Sequence, residues 1–69
     1  MSGVEFVANG KPRTASEGTS IADFLRGLNL APAQAIVEYN GEPLDRERFD
    51  QTRLHPGDRL EIAQMVGGG

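Results

Sequence analysis

Three glycines occupy positions 67–69, and little else in the chain has the makings of a reactive centre. Cysteine is absent, which excludes disulfides, thiolate metal sites and nucleophilic thiols from this chain. His55 is the single histidine. It precedes Pro56, with no second ligand for a metal and no acid at catalytic spacing, so it fits a surface turn. What remains is the α-carboxylate of Gly69. No Cβ stands beside it, and residues without side chains can enter a channel too narrow for any other residue. Extended, the stretch from Met65 to Gly69 reaches on the order of 17 Å, at ~3.3–3.6 Å per residue. A partner enzyme could therefore take the carboxylate well inside its own active site.

A carboxylate is a poor electrophile, so chemistry on it begins by installing a leaving group, most simply as an acyl adenylate made from ATP. Sulfur transfer to that adenylate leaves a thiocarboxylate, ionised at neutral pH and nucleophilic. A protein without cysteine would then carry sulfur. The plainer alternative is an idle terminal linker. Against it, the glycines follow Met65 and Val66 directly, without the serine-rich spacer of a typical linker.

The elements that must hold this ending are legible. Val4, Phe6 and Ala8 alternate with Glu5, Val7 and Asn9, as in a strand with one buried side. Asn9-Gly10 suits a type I′ turn into a second arm, Lys11 to Ala15, whose Pro12 cannot donate a ladder bond and places the arm at an edge. Thr19 or Ser20 can cap a helix, with Asp23 as a weak capping-box partner. Ile21, Phe24, Leu25 and Leu28 then form one helical stripe, and Asn29 and Pro32 end it. A β-rich run from Ala35 to Tyr39 turns at Asn40-Gly41 into a short arm, Glu42 to Leu44. Asp45 is expected to cap one helical turn ending at Phe49, which can plug the end of the core. Pro56-Gly57-Asp58 is a turn, Asp58 bonding nearby backbone N–H groups, and the last strand runs from Arg59 to Gln64.

One amphipathic helix and one apolar sheet face cover each other most compactly as a helix across a single twisted sheet, an α+β domain. The expected core is Phe6, Ile21, Phe24, Leu25, Leu28, Ile36, Leu60 and Ile62. Continued alternation puts Met65 opposite the helix, where Met65 and Val66 are candidate partner contacts. The mixed-charge run Asp45-Arg46-Glu47-Arg48 suits a solvated surface.

Composition narrows the function classes. A chain of 69 residues makes one domain with a lean core, poor material for a deep catalytic cleft. Net charge is −3, Lys11 is the only lysine and the arginines are interleaved with acids, which disfavours nucleic acid and suits a basic patch on another protein. The first residues lack the features of a signal peptide and no apolar run approaches membrane-spanning length, so no membrane partner and a cytoplasmic location are expected.

Several of these elements occur together in one family. The opening strand before Asn9-Gly10, Thr19-Ser20-Ile21-Ala22-Asp23-Phe24-Leu25, Val37-Glu38-Tyr39-Asn40-Gly41, Pro56-Gly57-Asp58-Arg59-Leu60-Glu61-Ile62 and the glycine tail resemble the ThiS family, the ubiquitin-like sulfur carriers of thiamin biosynthesis. The resemblance runs from about Val4 to Gly69. It implies a β-grasp domain over 1–66, with a mixed sheet of four to five strands, followed by a flexible tail at 67–69. It further implies that Gly69 is adenylated by an E1-like, ThiF-like enzyme using ATP, converted to a thiocarboxylate, and used as sulfur donor by a ThiG-like thiazole synthase. Gly68 and Gly69 match the family's terminal pair. Gly67 extends the segment that enters the partner's active site. The carrier is expected to be no enzyme and to hold no cofactor or metal of its own. Two alternatives stand beside this reading: a carrier similar to the small subunit of molybdopterin synthase, and a ubiquitin-like module that binds non-covalently with an idle tail.

Overall fold

The computed structural model describes residues 3–65. Val66, Gly67, Gly68 and Gly69 lie outside the described residues. Strands β1 (Gly3–Ala8), β2 (Lys11–Ser16), β3 (Ala35–Tyr39), β4 (Glu42–Leu44) and β5 (Arg59–Gln64) form one sheet in the order β2-β1-β5-β3-β4, and helix α1 (Ile21–Gly27) lies across it. Neighbouring pairs are antiparallel except β1 with β5, which are parallel and share only Val7↔Arg59 and Ala8↔Leu60. The sheet is therefore mixed, and β2, with Pro12, is an outer strand as expected.

Both Asn-Gly pairs make the hairpins that their sequence dictates. Asn9 and Gly10 have φ of 53° and 79°, Asn40 and Gly41 of 52° and 89°, the double positive φ of a type I′ turn. Alternation then sorts the side chains. Val4, Phe6 and Ala8 of β1, Ala35 and Val37 of β3 and Leu60 of β5 are buried on the helix side, where they meet Ile21, Ala22 and Leu25. Phe24 is half-buried and meets Phe6 edge to face, ring centroids 5.0 Å apart.

The helix starts and stops where its caps require. Ser20 Oγ accepts a hydrogen bond from Asp23 N at 3.0 Å. The Asp23 carboxylate does not complete a capping box; it accepts from Arg26 Nη1 at 3.0 Å, one exposed turn later. The remaining free N–H groups are taken by the segment before β5, Ile21 N donating to Thr52 O and Ala22 N to Phe49 O. At the other end Asn29 has φ of 63°, Asn29 N donates to Arg26 O and Leu30 N to Leu25 O, a Schellman cap.

Three expectations are corrected. Ile36 is not core: it is 50% exposed on the face away from the helix, because β3 alternates and Ala35 and Val37 take the inward positions. Leu28 is only half-buried, since the helix ends before it. Asp45 precedes a one-turn 3₁₀ helix, Arg46–Arg48, without a side-chain cap bond. The turn holds instead through backbone bonds from Arg48 N to Asp45 O and Phe49 N to Arg46 O. Phe49 does plug the core, together with Leu54, which the sequence reading had not included. A further 3₁₀ turn at Pro32–Gln34 also went unforeseen.

Candidate docking surface and the approach to the C-terminal segment

The path to the glycines is strand β5. It lies inside the sheet between β1 and β3, so its direction is fixed from both sides until Ile62. Past that point β3 alone holds it, through Ala35↔Gln64 and the bond from Met65 N to Gln34 O at 2.8 Å. The final described residue, Met65, thus lies just past β5 at one end of the sheet.

Met65 is 45% exposed, and register places it on the helix-free face in line with Glu61 and Ala63. Ile36 sits opposite Ala63 on that face, and Glu38 sits opposite Glu61. Ile36, Glu38, Glu61 and Ala63 line an open depression of about 350 Å³. Ile36 and Met65 are the large hydrophobic residues left exposed among the described residues. Two carboxylates directly opposite each other across a strand pair repel. Glu5 lies farther along the same face, level with Gly57 and separated from Glu61 by Arg59, and among the described residues none of these acids forms an ion pair. An acidic rim around exposed aliphatic side chains complements a partner that presents cations around an apolar contact. Sequence reasoning named Met65 but missed Ile36, Glu38 and Glu61. The signal was available, since Glu38 must face solvent and Ile36, two residues away, shares its side.

The opposite end of β5 is anchored by a buried carboxylate. Asp58 is 7% exposed and its Oδ2 accepts from Tyr39 Oη and from His55 N, both at 2.8 Å, while Oδ1 accepts from Asn40 Nδ2 at 3.2 Å. Asn40 Oδ1 in turn accepts from Arg59 N at 2.9 Å. The aspartate therefore serves the turn, as expected, and also ties it to the β3–β4 hairpin. Burial, then the hydrogen bond to Asp58 and its negative charge, push the Tyr39 hydroxyl up to about 12. His55 is exposed, as are Asp45, Arg46, Glu47 and Arg48. No group of three or more metal-ligating side chains occurs among the described residues. Among the described residues no helix is long and apolar enough to cross a membrane.

Comparison with known proteins places the chain. Residues 5–69 match the ThiS family. Among relatives, the chain is 38% identical over 50 residues to the sulfur carrier protein ThiS of Bacillus subtilis (strain 168), covering 72% of this chain and 76% of that one. It is 34% identical over 61 residues to a thiazole synthase of Magnetococcus marinus, covering 88% of this chain. The chain spans only about a fifth of the length of the first relatives it matches, 19% and 20% for two thiazole synthases. Among solved structures, the crystal structure of the thiamine biosynthesis protein ThiS from Geobacter metallireducens superimposes with a TM-score of 0.78 at 39% identity, covering 96% of this chain and all of that one. A designed protein based on human erythrocytic ubiquitin, at 20% identity and a TM-score of 0.56, shares the fold alone. The fold is thus the ubiquitin-like β-grasp, and the chain belongs to the ThiS family.

Proposed function

We propose that this protein is a sulfur carrier of thiamin biosynthesis, and that its Gly69 carboxylate is the group that is loaded. The observation that carries the reading is the match of residues 5–69 to the ThiS family, supported by 38% identity over 72% of the chain to a sulfur carrier protein and by the fold shared with a thiamine biosynthesis protein. The carrier itself catalyses nothing. A carboxylate oxygen of Gly69 attacks the α-phosphorus of ATP in an E1-like, ThiF-like partner, and pyrophosphate leaves. Sulfide released by a donor then attacks the acyl carbon and AMP leaves, giving the thiocarboxylate with no net redox change. A ThiG-like thiazole synthase takes the sulfur, a partnership supported by the thiazole synthases among the relatives.

The domain's contribution is delivery. Gly67 and Gly68 carry no side chains to obstruct entry into a partner, and Met65 and Val66 lie at the root of that segment. The acidic-aliphatic face around Ile36, Glu38 and Glu61 binds the partner while the terminus reacts.

Incubation of the protein with the activating enzyme, ATP and a sulfur donor is expected to raise its intact mass by the difference between sulfur and oxygen, located on Gly69. An unchanged mass with an enzyme shown to be competent refutes the reading. Removal of Gly68 and Gly69 is expected to abolish sulfur delivery without altering the thermal unfolding curve. Delivery that survives the truncation would point instead to a module that acts by non-covalent binding.

A further inference from the structure

A groove on the helix side of the sheet is left over once the acidic face has been assigned. Helix α1 is seven residues long and does not cover the end of the sheet from which β5 emerges. There Lys11 and Arg13 of β2 form one wall, Leu28 and Leu30 the other, and Ile62 and Gln64 the floor, around a volume of about 310 Å³. Register fixes the orientation of both cations, because Lys11 pairs with Ala8 and Arg13 with Phe6, whose side chains point to the helix side. Both are exposed, and among the described residues neither forms an ion pair or donates a side-chain hydrogen bond. The Arg13 guanidinium lies 5.9 Å from the centroid of the Phe24 ring, which positions the group and leaves its donors available. In a chain of net charge −3, two adjacent cations without an acid beside half-buried Leu28, Leu30 and Ile62 form a local inversion of charge.

A second observation concerns the backbone. Odd-numbered residues of β5 exchange hydrogen bonds with β3, as Arg59 O does with Asn40 N and Met65 N with Gln34 O. Even-numbered residues direct theirs toward β1. Val7 N donates to Asp58 O and Asn9 N to Leu60 O, both at 2.9 Å. Where β1 ends, the Asn9 side chain continues in its place: Nδ2 donates to Ile62 O at 3.1 Å and Oδ1 accepts from Ile62 N at 2.7 Å. Gln64 is the next residue in that series, and β1 does not reach it, its register ending at Ala8↔Leu60. Among the described residues, the N–H and C=O of Gln64 therefore have no strand partner on that side and face the groove as an open edge. A lysine on an edge strand discourages pairing with other chains. Here, however, the charges flank an uncharged edge on a different strand.

We infer that this groove is a docking site for an extended segment of a partner protein bearing acidic and aliphatic side chains, which pairs its backbone with Gln64 as an added strand. Each of the three features supplies one part of such recognition: the open edge supplies main-chain bonds, Leu28, Leu30 and Ile62 supply an apolar floor, and Lys11 and Arg13 select carboxylates. The site lies at the root of the C-terminal segment, so a segment bound there steadies that root while the terminus is held elsewhere in the partner. The inference rests on the carrier reading only for the identity of the partners.

The test uses the full chain with a short capped peptide alternating Glu and Val, followed by NMR. Salt-sensitive shifts at the amides of Gln64, Leu30 and Lys11 are expected, with none from the matched peptide alternating Lys and Val. Lys11→Glu, which touches nothing in the core, and the double variant with Arg13→Glu are both expected to remove these shifts. The double variant is also expected to weaken binding to the thiazole synthase or to the activating enzyme about tenfold at low salt. Unchanged affinity for both partners overturns the inference, as does displacement of the peptide by inorganic phosphate alone, which would make the groove a small-anion site. Either failure leaves the mass shift on Gly69 untouched, so the groove and the carrier reading stand or fall separately.

Discussion

The two faces of the sheet follow opposite rules. On the helix side Val4, Phe6, Ala8, Ala35, Val37 and Leu60 are all buried, and the two buried polar residues of the domain core, Ser20 and Asp58, have hydrogen-bond partners. On the other side Ile36 and Met65 stand exposed beside Glu38 and Glu61, which are directly opposed. Beneath the helix each local rule is satisfied at once, as in a region selected for stability. The open side breaks two of them, exposing large aliphatic side chains and placing like charges in register. A face that gives up stability in this way is better explained by contact with another molecule. The difference teaches that in a domain this small the sides of the same strands are divided residue by alternate residue: what the helix covers supplies stability, and the open side, with the uncovered end of the helix side, is left for recognition.

Substitutions on the two sides should therefore separate cleanly. The largest effect is expected from Leu60→Ala, fully buried beneath the helix, which should lower unfolding free energy by about 2–5 kcal/mol in a urea titration. A loss below about 1 kcal/mol would break the comparison, since it would mean the helix side is not the stabilising one. Asp58→Ala comes next. It strands the Tyr39 hydroxyl, the Asn40 amide and His55 N together, and should cost about 1–3 kcal/mol by the same measurement. On the open side Ile36→Ser and Met65→Ser should change stability by no more than about 0.5 kcal/mol. Each is expected to weaken partner binding about tenfold by calorimetry, as loss of an apolar anchor does. An open-face variant that unfolds easily but binds normally would reverse the assignment of the faces.

The smallest effect is one of pH. Tyr39 is the single tyrosine, so its ionisation can be followed by tyrosinate absorbance without interference. Its hydroxyl is raised from 10.0 to about 12 in the fold, because burial and then the bond to Asp58 and the Asp58 charge disfavour the anion. The contribution to stability is thus complete below pH 10 and is lost as pH rises through about 12. Asp58→Asn should bring the tyrosinate transition down toward its ordinary range. A transition that stays where it was would remove Asp58 as a cause.

How much of this was legible in the sequence depended on the range of the forces involved. The two Asn-Gly turns and the Asn29 helix stop are consequences of one or two residues and are legible from them, while the sequence narrows the helix cap to Thr19 or Ser20 and the structure shows Ser20. Strand alternation was read correctly in β1, where Val4, Phe6 and Ala8 agree. It was overruled in β3, where hydrophobicity alone put Ile36 in the core although Glu38 marks its face as the outer one. Leu54 was missed because it sits outside any periodic element, held by the bond from Leu54 N to Thr19 O and by the helix N-terminus that its segment caps. The open-face acids and the groove of Lys11 and Arg13 were missed for a related reason: each is assembled from strands far apart in the chain.

What the sequence determined by itself is local: where the chain turns, which residues alternate, and that without cysteine the reactive group must be sought elsewhere than in a thiol. What only the tertiary structure decided is which face of each strand is covered. A period of two divides a strand into two sides without saying which is inside, and a single seven-residue helix can cover only one. The parallel pairing of β1 with β5, made across more than fifty residues of chain, brings Ala8 and Leu60 to one face, and the helix packs on that face.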